Sequence, residues 1–155
     1  MTASKRELVK EQLNSYRNEL QNSEQRMIQC AFNSMAFIVQ SGFKYDHLYI
    51  TGHSACLDST TIIDPTVGCA WFYKDNPIEK IRSILLYKTT PDITTEWFET
   101  ANLHYFWDYT FKLTENLHKK TLPNNWDVPI QIIIGSFKGK KQITIGKYSD
   151  YVKRR

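Results

Sequence analysis

The sequence predicts an α+β domain in which an antiparallel sheet, built from an N-terminal meander and a C-terminal hairpin, packs against an N-terminal helix and a long central helix. Three observations predict it. Apolar residues recur at helical spacing up to residue 40, the pattern changes to short aromatic and β-branched runs after Tyr45, and a second helical pattern precedes an isoleucine-rich pair of strands. The 155 residues fit a single domain, 1–155, long enough to bury a real core.

The N-terminal helix is expected over about 4–40. Leu13, Tyr16, Leu20, Met27, Ala31, Met35 and Ile38 fall at helical spacing, Ser4 with Glu7 forms a capping box, and Gly42 is placed to end the helix. The polar run Gln21-Asn22-Ser23-Glu24 is a candidate break, and MIQCAFNSMAFIV, apolar on most sides, is the half expected to be buried.

HLYITGHS then reads as one strand, STTIID as a second and VGCAWFYK as a third, with Asp64-Pro65 turning between the last two. Asn76-Pro77 opens a short helix with proline in its first turn, carrying Ile78, Ile81 and Leu85 on one face, although its end also suits a strand.

The central helix spans about 94 to 119, with Thr94 or Thr95 as cap, Glu96 and Glu99 at its positive end and Lys119 and Lys120 at its negative end. Phe98, Tyr105, Phe106, Tyr109, Leu113 and Leu117 form its core stripe. Trp97, His104, Trp107, Asp108, Phe111 and Glu115 share a second face. That face is either buried as well or offers aromatic anchors ringed by carboxylates to a partner.

In the closing hairpin, Ile130, Ile132, Ile133 and Ile134 suggest a strand buried on both sides, and Ile143 and Ile145 a strand facing the core on one side. A basic tail follows at about 149–155.

Hydrophobic and charged contents of 41% and 23% are those of an ordinary globular chain, and no apolar run reaches the length of a membrane span. The N-terminus MTASKRELVKEQLN holds no apolar signal core, and three cysteines without a CxxC spacing suit a reduced, cytoplasmic protein. The net charge of +4 is unevenly spread. Residues 92–115 carry five acids against one lysine, whereas residues 121–155 carry seven bases against two acids.

No phosphate-binding loop, dinucleotide fingerprint, HExxH helix or nucleophile elbow is present. The nearest catalytic grouping is Asp46, His47, His53, Cys56 and Asp58, in which His53 stands three residues from the Cys56 thiol as a base would. His47 and His53 alone do not complete a metal site, so neither metal nor cofactor is expected. Lys138, Lys140, Lys141 and Lys147, interleaved with Phe137 and Tyr148, are the candidate nucleic-acid surface.

One order of elements is familiar. The N-terminal helix, the runs HLYITGHS and CAWFYKDN, a polar helix, the Trp126 loop and the closing PIQIIIGSFKGKKQITIGKY together resemble the YezG-like immunity proteins of bacterial polymorphic toxin systems. The resemblance covers most of residues 25 to 150 and is one of order and texture. It implies a cytoplasmic, non-enzymatic protein that binds and neutralises a cognate toxin domain, commonly a nuclease. Trp97, Trp107 and Phe111 would then be the anchors, with Asp108 and Glu115 as the charged rim. The sequence thus yields three expectations in order: a toxin-binding immunity protein, a nucleic-acid binder using the basic hairpin, and a small enzyme centred on His53 and Cys56.

Overall fold

A computed structural model describes residues 2–19, 30–86, 88–96, 129–136, 139–147 and 150–151. Within them the chain runs through α1 (Thr2–Glu19), α2 (Cys30–Gln40), β1 (Asp46–Ile50), β2 (His53–Leu57), β3 (Thr61–Asp64), β4 (Cys69–Phe72), α3 (Pro77–Leu85), β5 (Ile93–Thr94), β6 (Pro129–Ser136) and β7 (Gly139–Lys147). The seven strands form one sheet in the order β5-β4-β3-β2-β1-β6-β7, with every pairing antiparallel. The expected α+β class, with an antiparallel sheet against helices, is therefore present.

The N-terminal region differs from one continuous helix. The Tyr16 hydroxyl donates to Asn33 Oδ1 at 2.5 Å and Gln40 Nε2 donates to Glu19 at 3.0 Å. A straight helix would hold residues seventeen apart about 25 Å from one another. Hence α1 and α2 are separate helices lying against each other. Because α1 begins at Thr2, Ser4 lies inside its first turn instead of capping it. The expected helix end does occur at Gly42, whose φ of 79° lets the Phe43 N–H reach back to Ile38 O at 2.9 Å.

HLYITGHS is two strands. Gly52, at φ 90°, turns the chain so that Ile50 pairs with His53, and this brings HSACL alongside β1 as a buried strand. The runs STTIID and VGCAWFYK form β3 and β4, joined through the turn at Pro65. Asn76 caps α3, its side chain accepting from the N–H groups of Ile78 and Glu79. At the expected start of the central helix, Ile93 and Thr94 are extended and pair with β4, and the Thr95 N–H donates to Gly68 O at 3.0 Å. Sheet pairing at this edge outcompetes the cap that Thr94 or Thr95 would provide. The rest of that expected helix lies outside the described residues.

Helices cover both faces of the sheet, which explains why β2 and β3 are buried at every position. On one face, Ile78, Ile81, Ile84 and Leu85 of α3 pack on Leu48, Ile50, Leu57, Ile62, Trp71, Ile130 and Ile132. On the other, Val9, Leu13 and Tyr16 of α1 join Phe37 and Ile38 of α2 over Cys56, Ile63, Ala70 and Ile93. β6 is not fully enclosed. Ile130 and Ile132 are buried while Ile133 and Ile134 are only half-buried, because β6 lies one strand from the sheet edge. Ile145 of β7 does reach the core.

Candidate active site

α2 owes its placement to a two-sided pattern. Asn33, Ser34, Phe37 and Ile38 are buried towards the sheet, and Cys30, one turn earlier on the same stripe, is partly buried. The opposite side leaves Phe32, Met35 and Val39 exposed, so this segment is not enclosed on most sides as its composition suggested. The antiparallel ladder of β2 with β3 sets the first residue of β2, His53, at the same sheet end as the last residue of β3, Asp64.

These two elements and α2 bring together Cys30, His53 and Asp64. His53 Nε2 and Asp64 Oδ2 are 2.8 Å apart, and both side chains are wholly buried. The other carboxylate oxygen, Oδ1, accepts the Thr66 N–H at 3.0 Å. Cys30 lies close enough to His53 and to the Ser54 backbone for both to act on its thiol.

Electrostatics follow from this geometry. Burial works against charge on His53, but the Asp64 carboxylate, its hydrogen bond and the Cys30 sulfur overcome it and raise the imidazolium pKa to about 9. Burial likewise opposes ionisation of Cys30. The His53 hydrogen bond, the His53 charge and the Ser54 amide outweigh it, so the thiol falls below its ordinary value. Both shifts favour the thiolate–imidazolium form of the pair, the state in which sulfur is nucleophilic.

The thiol expected in this role, Cys56, is not suited to it. It is fully buried, it donates to Ser34 O at 3.4 Å, and burial together with the Asp64 charge pushes its pKa far up. Cys69 is also buried and raised. Asp58 serves a turn, its Oδ1 accepting from the N–H groups of Thr60 and Thr61, and it pairs with Lys5 through Oδ2. His47 stands apart on β1, its pKa lowered by burial. Among the described residues no group of three His, Cys, Asp or Glu side chains could hold a metal ion.

Trp97, Trp107, Asp108, Phe111, Glu115 and Lys138 lie outside the described residues. Lys140, Lys141 and Lys147 are exposed on the edge strand β7. Sequence reasoning missed Cys30 and Asp64. The signal available was a cysteine on the inward stripe of a helix, followed by His and Asp at facing strand ends.

The site and fold define an α+β protein with a Cys–His–Asp series at one end of an antiparallel sheet. No family model, curated protein or solved structure matches the chain. No helix among the described residues is long and apolar enough to cross a membrane.

Proposed function

We propose that the protein is a cysteine-nucleophile enzyme that hydrolyses or transfers an acyl group. The observation that carries this reading is the series Cys30–His53–Asp64, in which the His53–Asp64 pair is wholly buried and Cys30 is half-buried beside it. In the reaction the Cys30 thiolate attacks a carbonyl carbon. A carbon–sulfur bond forms as the bond to the leaving amine or alkoxide breaks, and the His53 imidazolium gives its proton to that group. Water or a second nucleophile then cleaves the thioester, its proton returning to His53. Asp64 touches neither substrate nor sulfur; it holds the imidazole in one orientation and favours its charged form.

The test is acylation by p-nitrophenyl acetate followed by peptide mass mapping. The expected result is an acetyl adduct on Cys30 that forms rapidly and turns over, is lost in Cys30→Ala and His53→Ala, and survives Cys56→Ala. Adducts spread evenly over surface lysines, with no dependence on His53, would refute the enzyme reading.

A second reading, stoichiometric binding of a toxin domain as an immunity protein, is favoured by a different observation. Phe32, Met35, Val39 and Phe43 are each about half exposed or more along the outer side of α2 and just beyond it. Co-expression with the polypeptide encoded beside this protein should then give a one-to-one complex that Met35→Lys weakens; a protein that purifies alone would count against it.

A further inference from the structure

The catalytic series has a second connection that bypasses the imidazole. Asn33 lies one turn after Cys30 on the inward stripe of α2. Its Nδ2 donates to Thr66 Oγ1 at 3.3 Å, and its Oδ1 accepts the Tyr16 hydroxyl at 2.5 Å. The Thr66 N–H in turn holds Asp64 Oδ1 at 3.0 Å. Asn33, Thr66 and Tyr16 are all at least 98% buried, where polar groups are costly unless their partners are fixed. The bonds therefore link the helix of Cys30, through Asn33, to Thr66, Asp64 and His53, the imidazole that acts in turn on the Cys30 thiol.

We propose that Asn33 and Thr66 are positioning residues that tie the nucleophile's helix to the carboxylate orienting His53, and so set the geometry of the Cys30–His53 contact. The proposal rests on the acyl-transfer reading of the same site. A pairwise Asp–His contact fixes the imidazole relative to β3 but does not itself place the helix bearing the sulfur, which packs on the sheet through Phe37, Ile38 and the Cys56–Ser34 contact. The Asn33–Thr66 bond ties that helix to the carboxylate directly, since the same short turn carries both the carboxylate and the Thr66 hydroxyl. Tyr16 extends the brace to α1. Besides His53, the titratable groups around these bonds are Asp64, Cys56, Cys69 and Tyr16. Burial raises the last three, so they stay uncharged near neutral pH and do not confuse the titration.

The experiment follows the pH dependence of Cys30 alkylation by iodoacetamide, assigned by peptide mass, alongside the melting temperature of each variant. Thr66→Val and Asn33→Ala should each raise the midpoint by about one pH unit, which slows alkylation at pH 6 up to about tenfold. The double variant should be no slower than either single one, because both break the same bond. Thr66→Ser keeps the oxygen and should behave as the unaltered protein does. A midpoint unmoved in folded Thr66→Val or Asn33→Ala would overturn the proposal, as would a Thr66→Ser protein as impaired as Thr66→Val. If Cys30 of the unaltered protein reacts no faster than an ordinary thiol, the acyl-transfer reading itself has failed, an outcome distinct from these.

Discussion

The two helical layers over the sheet are built from different materials. The α3 side is a continuous apolar seam in which isoleucines and Leu85 meet Trp71, Ile62 and Leu48. The α1–α2 side is interrupted: Asn33 and Ser34 are buried on α2, the Tyr16 hydroxyl is drawn into a hydrogen bond, and His53, Asp64 and Thr66 lie buried at the adjoining sheet end. Each buried polar group there costs free energy unless paired. An apolar layer of the same shape would be simpler and no less stable. The difference teaches that the α3 layer supplies stability, while the α1–α2 layer exchanges some of it for a fixed arrangement of a thiol, an imidazole and a carboxylate.

The sharpest way to break this contrast is at His53. His53→Ala should cut the acylation rate of Cys30 by roughly a hundredfold or more, the size expected when a positioned acid–base group is lost. Stopped-flow release of p-nitrophenol measures it, and a rate within twofold of the unaltered protein would remove the site's chemistry. The converse substitution lies in the apolar layer. Trp71, 1% exposed, should cost about 3–5 kcal/mol of stability when changed to Ala, with the Cys30 alkylation midpoint unmoved in the protein that remains folded. Urea denaturation and alkylation together read both halves of that statement.

A subtler difference appears with pH. Between about pH 6.5 and 9 the folded protein keeps a proton on His53 that the unfolded chain loses, and alone this makes stability fall as pH rises through the folded pKa. Cys30 has the opposite sign, because its lowered pKa releases in the fold a proton that the unfolded thiol keeps. The two act in opposite directions in the unaltered protein, so its melting temperature should change less over this window than either shift alone would make it. Cys30→Ser removes one of them, and its melting temperature should decline with rising pH. The smallest effect belongs to the α3 cap: Asn76→Ala should cost about 1 kcal/mol by urea denaturation and leave acylation unchanged.

How far these regions could be read from sequence follows the same division. Local chemistry marked the apolar side and its edges: Asn76-Pro77 opens α3, Asp64-Pro65 turns the chain after β3, and the aromatic run at Cys69–Phe72 is a strand. The turn at Thr51-Gly52 was hidden because the residues on both sides of it suit a strand, and only Gly52's positive φ divides them. The site was hidden for a stronger reason. Cys30, His53 and Asp64 are distant in sequence and meet only through the packing of α2 on β2 and the β2–β3 ladder. Cys56 stood close to His53 in sequence, yet it is fully buried and its thiol is held by Ser34 O of α2. Helical periodicity placed Cys30 on the inward stripe, but it offered no way to tell an inert buried thiol from one facing an imidazole.

The most direct test of the central claim is the pH–rate profile of Cys30 alkylation in the unaltered protein, compared with Asp64→Asn. The midpoint should lie below the ordinary thiol value of about 8.5 and return towards that value once the carboxylate is neutralised. A Cys30 midpoint at the ordinary value, identical in the two proteins, would contradict it.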